Sequence, residues 1–443
     1  MQTPIVDFVR QYVEQNALRL HMPGHKGTPY LGPEPYDITE IDGADSLDDA
    51  DGIIGQSEEL ASRLFGCRTL YSTEGSSQCI RAMVYLALLH GKRQGKRPVI
   101  AAFRNAHKTF LSAAALLDAE VVWLTSDHDG SYLSCKPSPA QVERVLRQEN
   151  PTAVYVTSPD YLGQLGDCAA LAELCHRYGA LLLVDNAHGA YLRFLPESRH
   201  PMDLGADLCC DSAHKTMPVL TDGAYLHLGD RLPESIAGQG KNALTLFGST
   251  SPSYLILQSL DLNNAYLCDY GQKLAAFLPR LEQLKQRLSA HGYVLREEEP
   301  LKLTVDSRAY GYDGRALAAL LQEHRIVCEF ADADYVVMML TPELGEADMR
   351  QLEQVMLSLE KRPARSVDAP EFRLPEKAMS IRQAALSLCE TIPVEQSLGR
   401  VLAAASVSCP PAVPIAACGE IIDENALNCF RYYGIKTVTV VAE

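Results

Sequence analysis

From about residue 55 onward, short apolar runs alternate with amphipathic stretches ten to twelve residues long. The runs Thr69–Ser72, Val99–Ala102, Val121–Leu124, Ala153–Thr157, Leu181–Asp185 and Leu208–Cys210 are too short for helices and predict strands. Between them, Gln56–Phe65, Gln78–Leu89, an alanine-rich run to Leu117, a segment opened by the capping box Ser138-Pro139-Ala140-Gln141, and Cys168–Tyr178 carry helical spacing. Such alternation implies parallel βαβ units covered on both faces. Asp222–Leu228 reads as one more strand, and Pro252 follows Ser249-Thr250-Ser251 at a helix start. Residues 301–360 repeat the pattern on a smaller scale, with strands in LKLTV, IVCEF and DYVVMML and helices over Arg315–His324 and Glu346–Lys361. Beyond a proline- and charge-rich stretch, Met379–Leu388 reads as helix, CPPAVPIAACGE as a proline-rich loop and Lys436–Val441 as strand. The expected division is an N-terminal segment 1–50, a major α/β domain 51–265, a small α/β subdomain 266–362, a linker 363–377 and a C-terminal domain 378–443.

Composition narrows the partners. A chain of 443 residues that is 47% hydrophobic and 22% charged can bury a large core. Its net charge of −16 lacks the basic face that phosphate backbones require, so nucleic acid is excluded as a partner. No signal peptide and no membrane-spanning run are read, and the expected location is the cytoplasm. The thirteen cysteines are odd in number and lack metal-ligand spacing, which fits reduced thiols and no metal site.

The polar residues that change the picture share one position. Ser76, His107, Tyr161, Asp185, His188 and Lys215 all follow predicted strands, and in parallel sheets that edge is where ligands sit. Gly75-Ser76-Ser77 between a strand and a helix offers free backbone N–H groups, hydroxyls and a helix dipole to an anion. Asp185 and Lys215, thirty residues apart, suit a carboxylate for a pyridinium nitrogen and an amine for an aldehyde, the two handles of pyridoxal 5'-phosphate. A strand-end aspartate and a surface lysine are the plainer alternative. The loop LHMPGHKG holds His21 and His25, which either act on a ligand or shape their turn. Seven further histidines, among them His128, His200 and His227, read as structural or surface.

The order and spacing of LHMPGHKG (20–27), the Gly-Ser-Ser turn, RNAHKT (104–109), SPDYLG (158–163), VDNAHG (184–189), SAHKT (212–216), STSPSYLILQSLD (249–261) and the C-terminal MSIRQA, PP and GE elements resemble the bacterial ornithine/lysine/arginine decarboxylases. These are fold-type-I pyridoxal-phosphate enzymes of the aspartate aminotransferase superfamily. The resemblance implies decarboxylation of arginine, lysine or ornithine, feeding polyamine synthesis, in a homodimer with shared sites or a higher oligomer. It implies that Lys215 is the Schiff-base lysine, that Asp185 pairs with the ring nitrogen, that His107 stacks on the ring and that His188 lies by its 3-hydroxyl or the substrate carboxylate. Gly75, Ser76, Ser77, Ser212 and His214 would hold the phosphate, His214 with an acid role as the alternative, and Thr250 would reach the neighbouring subunit's phosphate.

A basic side chain needs a carboxylate partner, and the acidic stretch from Glu40 to Asp49, with Asp45 foremost, and Glu420 are the candidates. Asn186 stands where the family usually has glutamate. Pro410-Pro411-Ala412 and Cys418-Gly419-Glu420 depart from the usual PPG and PGE. An aminotransferase or other lyase on the same fold, with Arg373 or Arg382 holding the substrate carboxylate, is one rival. A non-catalytic cofactor-binding protein is the other.

Overall fold

The computed structural model describes residues 2–125, 135–296, 298–366, 370, 373–408 and 414–442. His128 and the Pro410–Ala412 segment lie outside them. Seven strands form the main sheet: β1 (Arg68–Ser72), β2 (Val99–Phe103), β3 (Glu120–Leu124), β4 (Ala153–Thr157), β5 (Leu181–Asp185), β6 (Leu208–Asp211) and β7 (Ala224–Leu228), in the order β1-β7-β6-β5-β4-β2-β3. The fold is α/β, as the alternation predicts. Every residue of β2 and β5 is buried, which explains why these strands read as unbroken apolar runs rather than alternating ones.

The pairs β5–β6 and β2–β3 are parallel, with Asp185 beside Cys210. β7 runs antiparallel to both of its neighbours. Only residues 217–223 link it to the preceding helical turn, too short a segment for the crossover that a parallel strand needs. The helices that matter for the site are α1 (Pro4–Glu14), α2 (Ile53–Phe65), α3 (Gly75–Arg93), α4 (Lys108–Leu117), α5 (Pro139–Glu149), α6 (Cys168–Arg177) and the short α7 (Ala213–Thr216).

The chain divides into two compact units, and each is described by itself. The first comprises Met1–Arg97, Asn150–Val154 and Cys168–Gln272; the second comprises Pro98–Glu149, Tyr155–Asp167 and Lys273–Glu443. In the second unit, β8 (Val294–Arg296), β9 (Lys302–Asp306), β10 (Phe330–Ala331) and β11 (Tyr335–Met339) form an antiparallel sheet of order β10-β11-β9-β8. The strand expected over IVCEF survives only as β10.

The C-terminal part pairs β12 (Cys389–Pro393) with β15 (Thr437–Val441) and β13 (Ser406–Ser408) with β14 (Pro414–Ala417). A helix over Glu424–Tyr433, capped by Asp423 accepting from Ala426 N at 2.7 Å, packs Leu427 and Phe430 against Ile415, Ile422 and Val440. The segment read as a proline-rich loop thus contains a strand, with Pro414 at its first position, where a missing N–H is tolerated. The helix expected over Met379–Leu388 spans only Ile381–Ala385. No helix of the described residues is long and apolar enough to cross a membrane.

Candidate active site

In the first unit, three strand ends converge on one set of side chains. β5 delivers Asp185, which is 2% exposed and accepts from Ala187 N at 3.3 Å and Cys210 Sγ at 3.7 Å. The turn after it carries His188, also buried. One strand over, β6 runs into Ser212 and α7, where Lys215 N bonds back to Ser212 O at 3.0 Å and the Lys215 amine lies 3.0 Å from His188 Nε2. A lysine held one hydrogen bond from an imidazole can exchange its proton and present a neutral, nucleophilic amine.

The third contribution is the start of α3. Gly75 adopts φ +71°, and an added Cβ would meet only Asp222 Oδ1, at 3.6 Å. Its N–H donates to Asp222 O at 2.7 Å. Ser72 Oγ donates to Gln78 Oε1 at 2.5 Å, and Gln78 Nε2 to Leu244 O at 2.9 Å, so the first helical turn is fixed from behind. Ser212 Oγ then donates to Ser76 Oγ at 2.8 Å, bringing two hydroxyls from separate loops to the end of a helix of 19 residues.

This donor set fits pyridoxal phosphate. Paired hydroxyls and a helix N-terminus suit the phosphate, the lysine amine suits the aldehyde, and the buried carboxylate on the adjacent strand suits the pyridinium nitrogen. His214 follows a different logic. Its Nδ1–H donates to Gly223 O at 3.1 Å, and burial pushes its pKa down. Its neutral form keeps that Nδ1–H and carries a lone pair on Nε2. Thr250 is exposed, and the neighbouring Ser249 N donates to Glu74, directly ahead of the Gly75 turn.

His107 belongs to the second unit. It caps α4: its Nδ1 accepts from Thr109 N at 3.3 Å and lies 3.0 Å from Thr109 Oγ1. In the same unit, Tyr161 donates to Glu329 at 3.0 Å and packs edge-on against Phe330. Of the N-terminal histidines, His25 accepts from Gly27 N at 3.0 Å and lies 3.2 Å from Asp37, while His21 pairs with Tyr12; both shape their loop.

The two carboxylates expected to meet the substrate both have partners within the chain. Glu420, 4% exposed, spends both carboxylate oxygens on Arg104, at 2.7 Å each, and Oε2 also accepts from Ala417 N at 2.7 Å. Arg104 and Glu420 thus form a buried clamp within the second unit. Asp45, 6% exposed, accepts from the backbone N–H groups of Ser46, Asp51, Gly52, Ile54 and Gly55. It folds the acidic loop onto the start of α2. Glu40, Asp42 and Asp49 stay exposed. Arg382 donates to Ala115 O and Leu116 O at the end of α4, a use that explains its place without a substrate.

Sequence reasoning missed the fully buried Asp211 at the end of β6. Its Oδ2 accepts from His200 Nε2 at 3.0 Å and His227 Nε2 at 3.1 Å, and its Oδ1 from Asn186 Nδ2 at 2.7 Å. Burial alone would raise this carboxyl's pKa; the two imidazoles more than offset it and hold the pKa well below the usual carboxylate range. The available signal was Asp211 itself, the first residue of DSAHKT, an ionisable group inside an apolar strand.

Known proteins resemble this chain along most of its length. The description "Orn/Lys/Arg decarboxylase, major domain" matches residues 3–307. An uncharacterised protein of Bacillus subtilis is 29% identical, covering 99% of this chain and 95% of its own length. An arginine decarboxylase of Halalkalibacterium halodurans is also 29% identical, covering 97% of this chain and 93% of its own. Among solved structures, the lysine decarboxylase of Francisella novicida superposes with a TM-score of 0.82 at 16% identity, over 99% of this chain and 81% of its own, and so shares the fold. With the match spanning most of the chain, the protein belongs to the Orn/Lys/Arg decarboxylase family.

Proposed function

We propose that this chain decarboxylates a basic L-amino acid, arginine first among arginine, lysine and ornithine, and that the amine it forms feeds polyamine synthesis. The observation that carries the reading is the Lys215 amine 3.0 Å from His188, with Asp185 on the adjacent strand and the Ser76–Ser212 hydroxyl pair at the head of α3. Arginine leads because the relative from Halalkalibacterium halodurans is named an arginine decarboxylase and aligns with nearly the whole chain.

The cofactor is pyridoxal 5'-phosphate; when bound, it supplies a ring that takes up the electron pair left as CO2 departs. Asp185 holds positive charge at the ring nitrogen, which buried surroundings make effective. Gly75, Ser76, Ser77 and Ser212 would bind the phosphate. His188 Nε2 takes and returns the proton of Lys215 Nζ, so that the amine is a nucleophile in one half of the cycle and a proton donor in the other. By the resemblance His107 would stack on the ring, and His214 Nε2 would accept a proton from water or substrate. Glu40, Asp42 and Asp49 are the carboxylates still exposed to meet a distal cation. The domain division at 51–265, 266–362 and 378–443 is supported by the main sheet, the β8–β11 sheet and the C-terminal strand pairs falling in separate segments. A homodimer, with Thr250 serving the neighbouring site, completes the proposal.

The test offers the three amino acids separately to the protein and pyridoxal phosphate, and identifies the products. One diamine or agmatine with equimolar CO2 is expected. A keto acid in place of CO2 would replace this reading with transamination. Sedimentation at a monomer's mass would overturn the dimer.

A further inference from the structure

The turn that carries Asp185 and His188 is held by more than its backbone. Asn186, fully buried, sits between them, and its N–H donates to Cys210 O at 3.0 Å while its carbonyl accepts from Gly189 N at 2.7 Å. Its side-chain Nδ2 donates to Asp211 Oδ1 at 2.7 Å. Its other amide atom, Oδ1, has no partner among the described residues and lies where a Cβ on Gly189 would come within 2.0 Å. An orphaned buried acceptor is costly, so the amide is oriented by its one strong bond, to the Asp211 carboxylate.

Asp211 is equally committed. His200 Nδ1 accepts from Met202 N at 3.4 Å, and an ionised carboxylate only accepts, so the His200 and His227 rings both present Nε2–H to Asp211. With Asn186 Nδ2 and, at 3.7 Å, Cys209 Sγ, four donors thus surround one buried carboxylate. A carboxylate at 186 would set two acceptors 2.7 Å apart in a dry core.

We propose that Asn186 and Asp211 form a matched amide–carboxylate pair that positions the Asp185–His188 turn for the cofactor, so that Asn186 is the fitted partner of Asp211 and not a loss of the family's usual glutamate. Asn186 and Asp211 are positioning residues: they act through Asp185 and His188. The inference rests on the cofactor reading above.

The experiment compares wild type with Asn186→Asp, Asp211→Asn and the double swap Asn186→Asp/Asp211→Asn. Each protein is prepared free of cofactor, its Tm is measured, and pyridoxal phosphate is titrated in by absorbance. In the swap, the amide oxygen placed at position 211 can accept both imidazole N–H groups, while the NH2 of the same amide donates to the carboxylate placed at position 186. Each single variant should lower the Tm and weaken cofactor binding by about 10- to 100-fold, the loss expected for one charge-assisted hydrogen bond. The swap should return both quantities close to wild type. A swap no better than the worse single variant overturns the pairing. Single variants with lowered Tm but wild-type cofactor affinity overturn the positioning role. A wild type that shows no Lys215-dependent absorbance band refutes the cofactor reading instead, and the Tm rescue of the cofactor-free swap still decides the pairing.

Discussion

Replacing Glu420 by glutamine removes the charge partner of a guanidinium that has no access to water. Arg104 and Glu420 meet through two bonds of 2.7 Å, with side chains 1% and 6% exposed. The guanidinium also lies 4.7 Å from the Trp123 ring and donates to Pro414 O at 3.1 Å. Breaking one side of such a pair costs about 3–5 kcal/mol, because the remaining charge stays buried. For a unit of this size, that corresponds to a fall in Tm of roughly 6–20 °C. Arg104→Met/Glu420→Leu, which removes both charges, should recover most of the loss. The assay is thermal unfolding of the cofactor-loaded protein, run beside KM for the preferred amino acid. A KM that rises many-fold while the Tm of Glu420→Gln stays within about 2 °C of wild type, less than 1 kcal/mol, would refute the clamp and restore Glu420 as a substrate reader.

Asp45→Ala strips the shared acceptor from five backbone N–H groups and should cost about 2–3 kcal/mol in denaturant unfolding, with no selective rise in KM. His188→Ala should keep the cofactor on Lys215 and lower kcat on the order of 100-fold, since the proton partner 3.0 Å from the amine is gone. Asp261 caps α1 by accepting from Ile5 N and Val6 N at 3.0 Å each, and burial pushes its pKa up to about 6. A carboxyl whose pKa is higher in the folded state takes up a proton on folding. Its contribution is therefore fully present below about pH 4 and lost as pH rises through 6, a change on the order of 2–3 kcal/mol. The Tm difference between wild type and Asp261→Asn should shift in favour of wild type as pH falls from 7 to 4; a difference independent of pH would contradict this.

The sheet was legible because its strands are short apolar runs separated by helical spacing, and a strand buried on both faces leaves that signature in β2 and β5. The direction of β7 depends on the length of the link before it, which strand spotting ignores. In the C-terminal part, β12 and β14 are short and end or begin at prolines, which read as loop, whereas β15 was legible as a strand. Within the site, Asp185, His188 and Lys215 were recoverable because each directly follows a strand. The acidic residues were not, because a carboxylate's use is set by what faces it. Glu420 meets a guanidinium 316 positions away in the chain, and Asp45 meets N–H groups that converge only after the loop has folded. Asp211 escaped for the same reason: its partners come from three separate loops and strands, His200, His227 and Asn186.

The central claim is that Lys215 serves the removal of a carboxyl group from a basic amino acid. It is tested most directly by supplying carboxyl-labelled L-arginine, lysine and ornithine to the protein with pyridoxal phosphate and counting labelled CO2, with Lys215→Ala in parallel. The account predicts sustained release from one of the three by wild type and none above background by Lys215→Ala. No release from any of the three, or release that survives the loss of Lys215, would contradict it.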